Sequence, residues 1–147
     1  MQSINKPSGA FVLASWVAMS VGMGAFLIGL WNASMEVNQK GYFFTLLLLG
    51  LFSAVSLQKS VRDRLEEIPV SDAYLMICWF SFLSALVLLS VGLWNASMEL
   101  NEKGFYAISF FLSLYASIVV QKNIRDTLNF SSTETKVELE CVEKGLL

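Results

Sequence analysis

Charged residues are absent from four long stretches of this 147-residue chain: between Lys6 and Glu36, Lys40 and Lys59, Asp72 and Glu99, and Lys103 and Lys122. A helix needs roughly 20 apolar residues to cross the bilayer core. All four stretches reach or approach that length. The rest of the chain is too poor in polar residues to clothe four buried helices in water. Only 15% of residues are charged, against about 25% in a typical soluble domain, and the mean hydropathy is +0.59. The stretches therefore predict membrane spans at about 10–30, 41–57, 73–93 and 104–120. Lys6 followed by an apolar run has the look of a secretory leader, but the run exceeds a typical leader core. Its would-be cleavage segment, Trp31-Asn32-Ala33-Ser34, also recurs in mid-chain, so the first span is expected to be retained.

The chain repeats itself at a shift of 63 residues without a gap. Gly29 to Gly41 reads GLWNASMEVNQKG and Gly92 to Gly104 reads GLWNASMELNEKG, differing only at Val37/Leu100 and Gln39/Glu102. QKSVRD from Gln58 answers QKNIRD from Gln121. One unit is thus an apolar span, a polar turn, a second apolar span and a charged exit. The expected organisation is an N-terminal tail (1–9), a first repeat (10–65), a linker (66–72), a second repeat (73–128) and a flexible acidic tail (129–147), disordered or at best a short surface helix. Each unit crosses twice, so the two are parallel repeats with a pseudo-axis along the membrane normal. The expected fold is an all-α membrane bundle of four transmembrane helices, made of two pseudo-equivalent hairpins.

Lys and Arg fix the expected orientation. Lys6, Lys59, Arg62, Arg64, Lys122, Arg125, Lys136 and Lys144 fall on one side, and only Lys40 and Lys103 on the other. Both termini and the linker are therefore expected in the cytoplasm, with the two turns outside. Trp31 and Trp94 then lie where an interfacial aromatic belt sits.

Two polar surfaces recur in both units. The outer one comprises Asn32, Glu36, Asn38 and Lys40, with Asn95, Glu99, Asn101 and Lys103. It reads either as a solvated turn or as paired caps in which Glu36 and Glu99 bind a cation or polar partner. The inner one comprises Gln58, Lys59, Arg62 and Asp63, with Gln121, Lys122, Arg125 and Asp126. Lys59, Arg62 and Asp63 fall at i, i+3 and i+4 and share a helix face. Cations there complement the helix dipole and meet anionic headgroups or a partner protein. Small residues, including Ala18, Gly22, Ala25 and Gly29, then Gly50 and Ala54, then Ser109, Ser113 and Ser117, read as packing seams.

No Asp, Glu, Lys, Arg or His lies within a span, and the chain has no histidine. Proton-coupled exporters and voltage sensors keep ionisable groups at depth. Cys78 and Cys141 form neither a disulfide framework nor a metal spacing. The chain is read as no enzyme, without cofactor or metal, and without the basic excess that nucleic acid demands.

The block GLWNA-x-M-x-x-N-x-KG with its QK-x-x-RD exit, present twice between about residues 10 and 128, resembles the YiaAB two-helix family of bacterial inner-membrane proteins. The resemblance implies an inner-membrane location and two copies of the family's domain. It carries a loose link to stress adaptation and supplies no catalytic residue. The expectation is a protein that acts by self-association or by binding a membrane partner or lipid. The alternative is a small transporter or channel subunit, its polar path lined by Ser109, Ser113 and Ser117.

Overall fold

The computed structural model describes residues 7–143; Lys6 and Lys144, counted for orientation above, lie outside them. Among the described residues there are four helices: α1 (Gly9–Asn32), α2 (Val37–Leu65), α3 (Asp72–Asn95) and α4 (Leu100–Glu143). All four are long and apolar enough to cross a membrane. At 1.5 Å per residue, the 24 residues of α1 or α3 reach about 36 Å. The Ser8 side chain caps α1 by accepting from the Phe11 amide at 3.3 Å.

Each repeat is a hairpin in the chain but not in its packing. α1 packs chiefly on α4 and α3 chiefly on α2, while α2 and α4 meet in the middle and α1 touches α2 little. The spatial order is α1, α4, α2, α3. The first helix of each unit is thus seated on the second helix of the other. The two glycine seams repeat this exchange at the 63-residue shift. A Cβ at Gly29 would stand 2.7 Å from the Phe105 ring, and one at Gly92 would stand 2.6 Å from the Tyr42 ring. Small residues on the outer helices let the aromatic rings of the central helices approach the backbone.

The core follows from that arrangement. Phe43 and Tyr106 occupy equivalent positions in the two copies, and their rings stack at 6.1 Å with an interplanar angle of 20°. Phe26, fully buried, packs edge-on against Tyr106 at 5.5 Å and tilted against Phe110 at 6.1 Å. Gly50 admits Phe110 and Leu114 where α2 meets α4. In α2 and α4, 39% and 44% of the apolar window is buried, against 17% in each of α1 and α3. The outer pair therefore turns most of its surface, including Leu13, Ile28 and Phe80, to lipid.

The tail departs from expectation. α4 continues as helix to Glu143, whereas α2 stops at Leu65. The reason lies in residues 66–69. Glu67 takes the left-handed conformation (φ 59°), its amide donates to the Arg64 carbonyl at 3.3 Å, and the Ile68 amide donates to Asp63 at 2.9 Å. This is a Schellman stop, followed by Pro69, which cannot continue a helix. At the equivalent places the second copy has Phe130, Ser131 and Ser132, with no proline. Without that stop the helix runs on, and Ser132, Thr133 and Thr135 direct their hydroxyls to carbonyls four residues back within it.

Candidate functional site

The turns are shorter than the sequence implied. α2 and α4 already begin at Val37 and Leu100, so Asn38, Lys40, Asn101 and Lys103 sit on helices and only 33–36 and 96–99 connect. Half of the eight recurring outer polar residues serve the ends of α1 and α3. Lys40 Nζ donates to the Trp31 carbonyl at 2.9 Å and Lys103 Nζ to the Trp94 carbonyl at 3.4 Å. Asn32 and Asn95 Nδ2 donate to Ile28 and Val91 carbonyls, both at 2.9 Å. Helix C-termini leave carbonyls unpaired, and a cation there also meets the negative end of the dipole. The first Asn and the Lys of the WNASME-x-N-x-K motif thereby cap the C-terminal ends of α1 and α3 in both copies.

Two cavities flank this end, related by the pseudo-symmetry. One lies between Gly29, Asn32 and Met35 of the first unit and Asn101, Glu102 and Tyr106 of the second, with a volume of about 430 Å³. The other lies between Asn38, Gln39, Tyr42 and Phe43 and the end of α3 at Gly92 and Asn95, with about 510 Å³. Glu36 and Glu99, for which the sequence offered either a solvated turn or a cation-binding pair, are exposed residues just ahead of α2 and α4 and line neither cavity. The carboxylate that does line one is Glu102, which sequence reasoning passed over. Its signal was present: Gln39/Glu102 is one of the two differences between the repeated turns.

At the opposite, linker end the exits form matched ion pairs. Arg62 Nη2 meets Asp63 Oδ1 at 3.0 Å and Arg125 Nη2 meets Asp126 Oδ1 at 3.0 Å. Lys59 and Lys122 are exposed and form no ion pair among the described residues, so the expected shared face resolves into an Arg–Asp pair beside an outward lysine. Four side-chain atoms are buried there without a hydrogen-bond partner: Gln58 Oε1, Arg62 Nε, Gln121 Oε1 and Arg125 Nη1. Glu66 approaches Arg62 Nε only to 3.7 Å, too far for a hydrogen bond. Beside Gln58 and Arg62 lies a largely apolar groove of about 380 Å³, walled by Leu57, Val61, Trp79, Phe82 and Ile118. Just inside, the seams carry matched polar contacts: Asn123 Nδ2 donates to Ser15 Oγ at 2.9 Å, and Ser60 Oγ lies 3.7 Å from Cys78 Sγ.

The serine stripe of α4 serves packing. Ser109, Ser113 and Ser117 are buried, and each hydroxyl donates to a carbonyl of its own helix at 2.7 Å. Ser113 lies under Gly22, whose Cβ would stand 2.9 Å from its backbone nitrogen. Among the described residues no group of three His, Cys, Asp or Glu side chains stands close enough to hold a metal.

The chain matches the yiaA/B two helix domain twice, over residues 11–63 and 74–126, at the 63-residue offset read from the turns. It is 51% identical over 137 residues to inner membrane protein YiaA of Escherichia coli (strain K12), spanning 93% of this chain and 94% of that protein. It is 29% identical to inner membrane protein YiaB of the same organism over 98 residues, 67% of this chain and 83% of that protein. It is 40% identical over 59 residues to the uncharacterized membrane protein YubF of Bacillus subtilis (strain 168), 40% of this chain and 68% of that protein. No solved structure matches.

Proposed function

The chain belongs to the yiaA/B two-helix domain family, and from that membership we propose a multi-pass inner-membrane protein that acts by association, its linker end facing the cytoplasm and binding anionic phospholipid. The observation that carries this reading is the recurrence, in both copies, of a buried arginine N–H without a partner, Nε on Arg62 and Nη1 on Arg125, beside a buried Gln58 or Gln121 Oε1 that a headgroup hydroxyl rather than the phosphate would satisfy. A buried polar group without a partner costs about 1–3 kcal/mol. Finding it at equivalent positions in two copies argues for a partner that comes from outside the chain. A guanidinium presents donors in a fork that fits phosphate. Asp63 and Asp126 hold one side of each guanidinium and leave Arg62 Nε and Arg125 Nη1 free. The groove below Arg62 offers an acyl chain an apolar bed, and exposed Lys59 and Lys122 add attraction to an anionic leaflet.

Native mass spectrometry in the presence of phosphatidylglycerol and phosphatidylcholine tests the proposal. Retained phosphatidylglycerol in excess, lost in the Arg62→Gln/Arg125→Gln double variant, is the expected result. Equal retention of the two lipids would refute it. So would a lipid-independent dimer that the same variant dissolves, because a second copy would then supply the missing partners.

A further inference from the structure

The duplicated turns hold the same cavity twice, and the two differ in charge, with Glu102 in one where the other has Gln39. We propose that the cavity lined by Glu102 and Tyr106 binds a small organic cation of the ammonium class. The charge is the first argument. Glu102 is the one acidic side chain lining this cavity, one of its oxygens accepting from the Glu99 amide at 3.2 Å, whereas the equivalent position in the sister cavity is Gln39. Lys40 and Lys103, the cations of this end, are turned to the Trp31 and Trp94 carbonyls and line neither space. The wall opposite Glu102 is the C-terminal end of α1 at Gly29 and Asn32, where Lys40 already caps the Trp31 carbonyl, so the charge for a ligand comes from Glu102 alone.

The hydroxyls supply an independent argument. In the sister cavity Tyr42 donates to the Leu88 carbonyl at 2.6 Å, which leaves that phenol satisfied by the fold. In the acidic cavity the phenol has moved one position along, to Tyr106, with Phe105 in the place of Tyr42. Tyr106 is 4% exposed, lines the cavity, and its hydroxyl makes no hydrogen bond among the described residues. That hydroxyl is reached from the cavity rather than sealed in the core, so it is open to whatever enters. A ligand N–H fits its oxygen, and Asn32 Oδ1 remains free because Nδ2 alone is spent on Ile28.

The lining also decides the kind of cation. Calcium takes six to eight oxygen ligands, commonly with several carboxylates, and this cavity offers one carboxylate. The rings of Phe105 and Tyr106 and the thioethers of Met35 and Met98 suit a weakly hydrated, polarisable cation instead. The volume of about 430 Å³ lies within the range of small-molecule sites.

Tetramethylammonium chloride titrated into the protein in nanodiscs of neutral lipid, read by saturation-transfer NMR on the ligand methyls at constant ionic strength, tests the assignment. Saturable binding is expected, weakened about tenfold by Glu102→Gln, which equals about 1.4 kcal/mol. Gln39→Glu should leave the affinity of the Glu102 cavity unchanged and add a second site in the sister cavity, which then gains a carboxylate beside the rings of Tyr42 and Phe43. Tyr106→Phe removes only the hydroxyl, keeps the ring and should leave tetramethylammonium binding intact. The same substitution should weaken methylammonium, which carries N–H donors. Absence of saturable binding, wild-type affinity in Glu102→Gln, or displacement of the probe by magnesium at equal concentration would each overturn the proposal.

Discussion

Replacing Gly22 by alanine tests the exchanged packing more directly than any other single change. A Cβ there would stand 2.9 Å from Ser113 N, 3.0 Å from Ser113 Oγ and 3.2 Å from Leu112 Cγ, all inside ordinary contact, which begins at 3.4 Å. The first of these atoms is backbone, and the hydroxyl is held by the Ser109 carbonyl at 2.7 Å, so neither gives way cheaply. α1 must retreat from α4 by roughly half an ångström, and a gap of that size forfeits about a quarter of each dispersion well along the seam. Overpacking of this kind costs about 1–3 kcal/mol. The usual gain of about 1 kcal/mol for Gly→Ala in a helix does not offset it, because a membrane helix is already formed before the helices associate. Gly24, two residues away on the same helix, has nothing within 4 Å of its would-be Cβ, so Gly24→Ala is the control. Unfolding in mixed micelles by added dodecyl sulfate, followed by tryptophan fluorescence, should show Gly22→Ala destabilised by about 1–3 kcal/mol and Gly24→Ala unchanged. If the two variants agree within about 0.5 kcal/mol, α1 is not seated on α4 at this crossing.

Three further outcomes follow from named contacts. Ser60→Cys should form an α2–α3 disulfide with Cys78 on mild oxidation, since the wild-type Ser60 Oγ and Cys78 Sγ lie 3.7 Å apart; an unchanged gel mobility would contradict the exchange. In a double-mutant cycle with Ser15→Ala, Asn123→Leu should reveal a coupling of about 0.6 kcal/mol, rising to about 1.7 at most, and a vanishing coupling would show the Ser15–Asn123 bond to contribute nothing. Lys40→Met should lower stability by about 0.3–1 kcal/mol, and Lys103→Met by less, because Nζ lies 2.9 Å from its carbonyl in the first case and 3.4 Å in the second. Melting in detergent ranks the two, and the reverse order would count against the capping role.

How much of this was legible in the chain differs from residue to residue. Four spans and their duplication were fixed by where charges are absent and by the 63-residue identity, because the hydrocarbon core tolerates neither charge nor unpaired backbone. That constraint is local, so it can be read off a string. The extent of α4 was legible only in hindsight: Pro69 stops α2, and Ser132 in its place does not stop α4. The polar turn was legible as a motif but not as a pair of C-caps, because the contacts run from Lys40 back to Trp31 across a bend. The exchange of partners was not legible at all. Identical repeats satisfy the same apolar pattern whether α1 packs on α2 or on α4, and the choice rests on which glycine seam admits which aromatic ring. That same choice sets Tyr106 and Glu102 of one unit against Gly29 and Asn32 of the other. The sequence alone thus determined that the chain lives in a membrane as a doubled two-helix unit. Only the tertiary structure decided which halves face each other, because helix association in lipid turns on close packing between distant residues rather than on hydrophobicity that every span already shares.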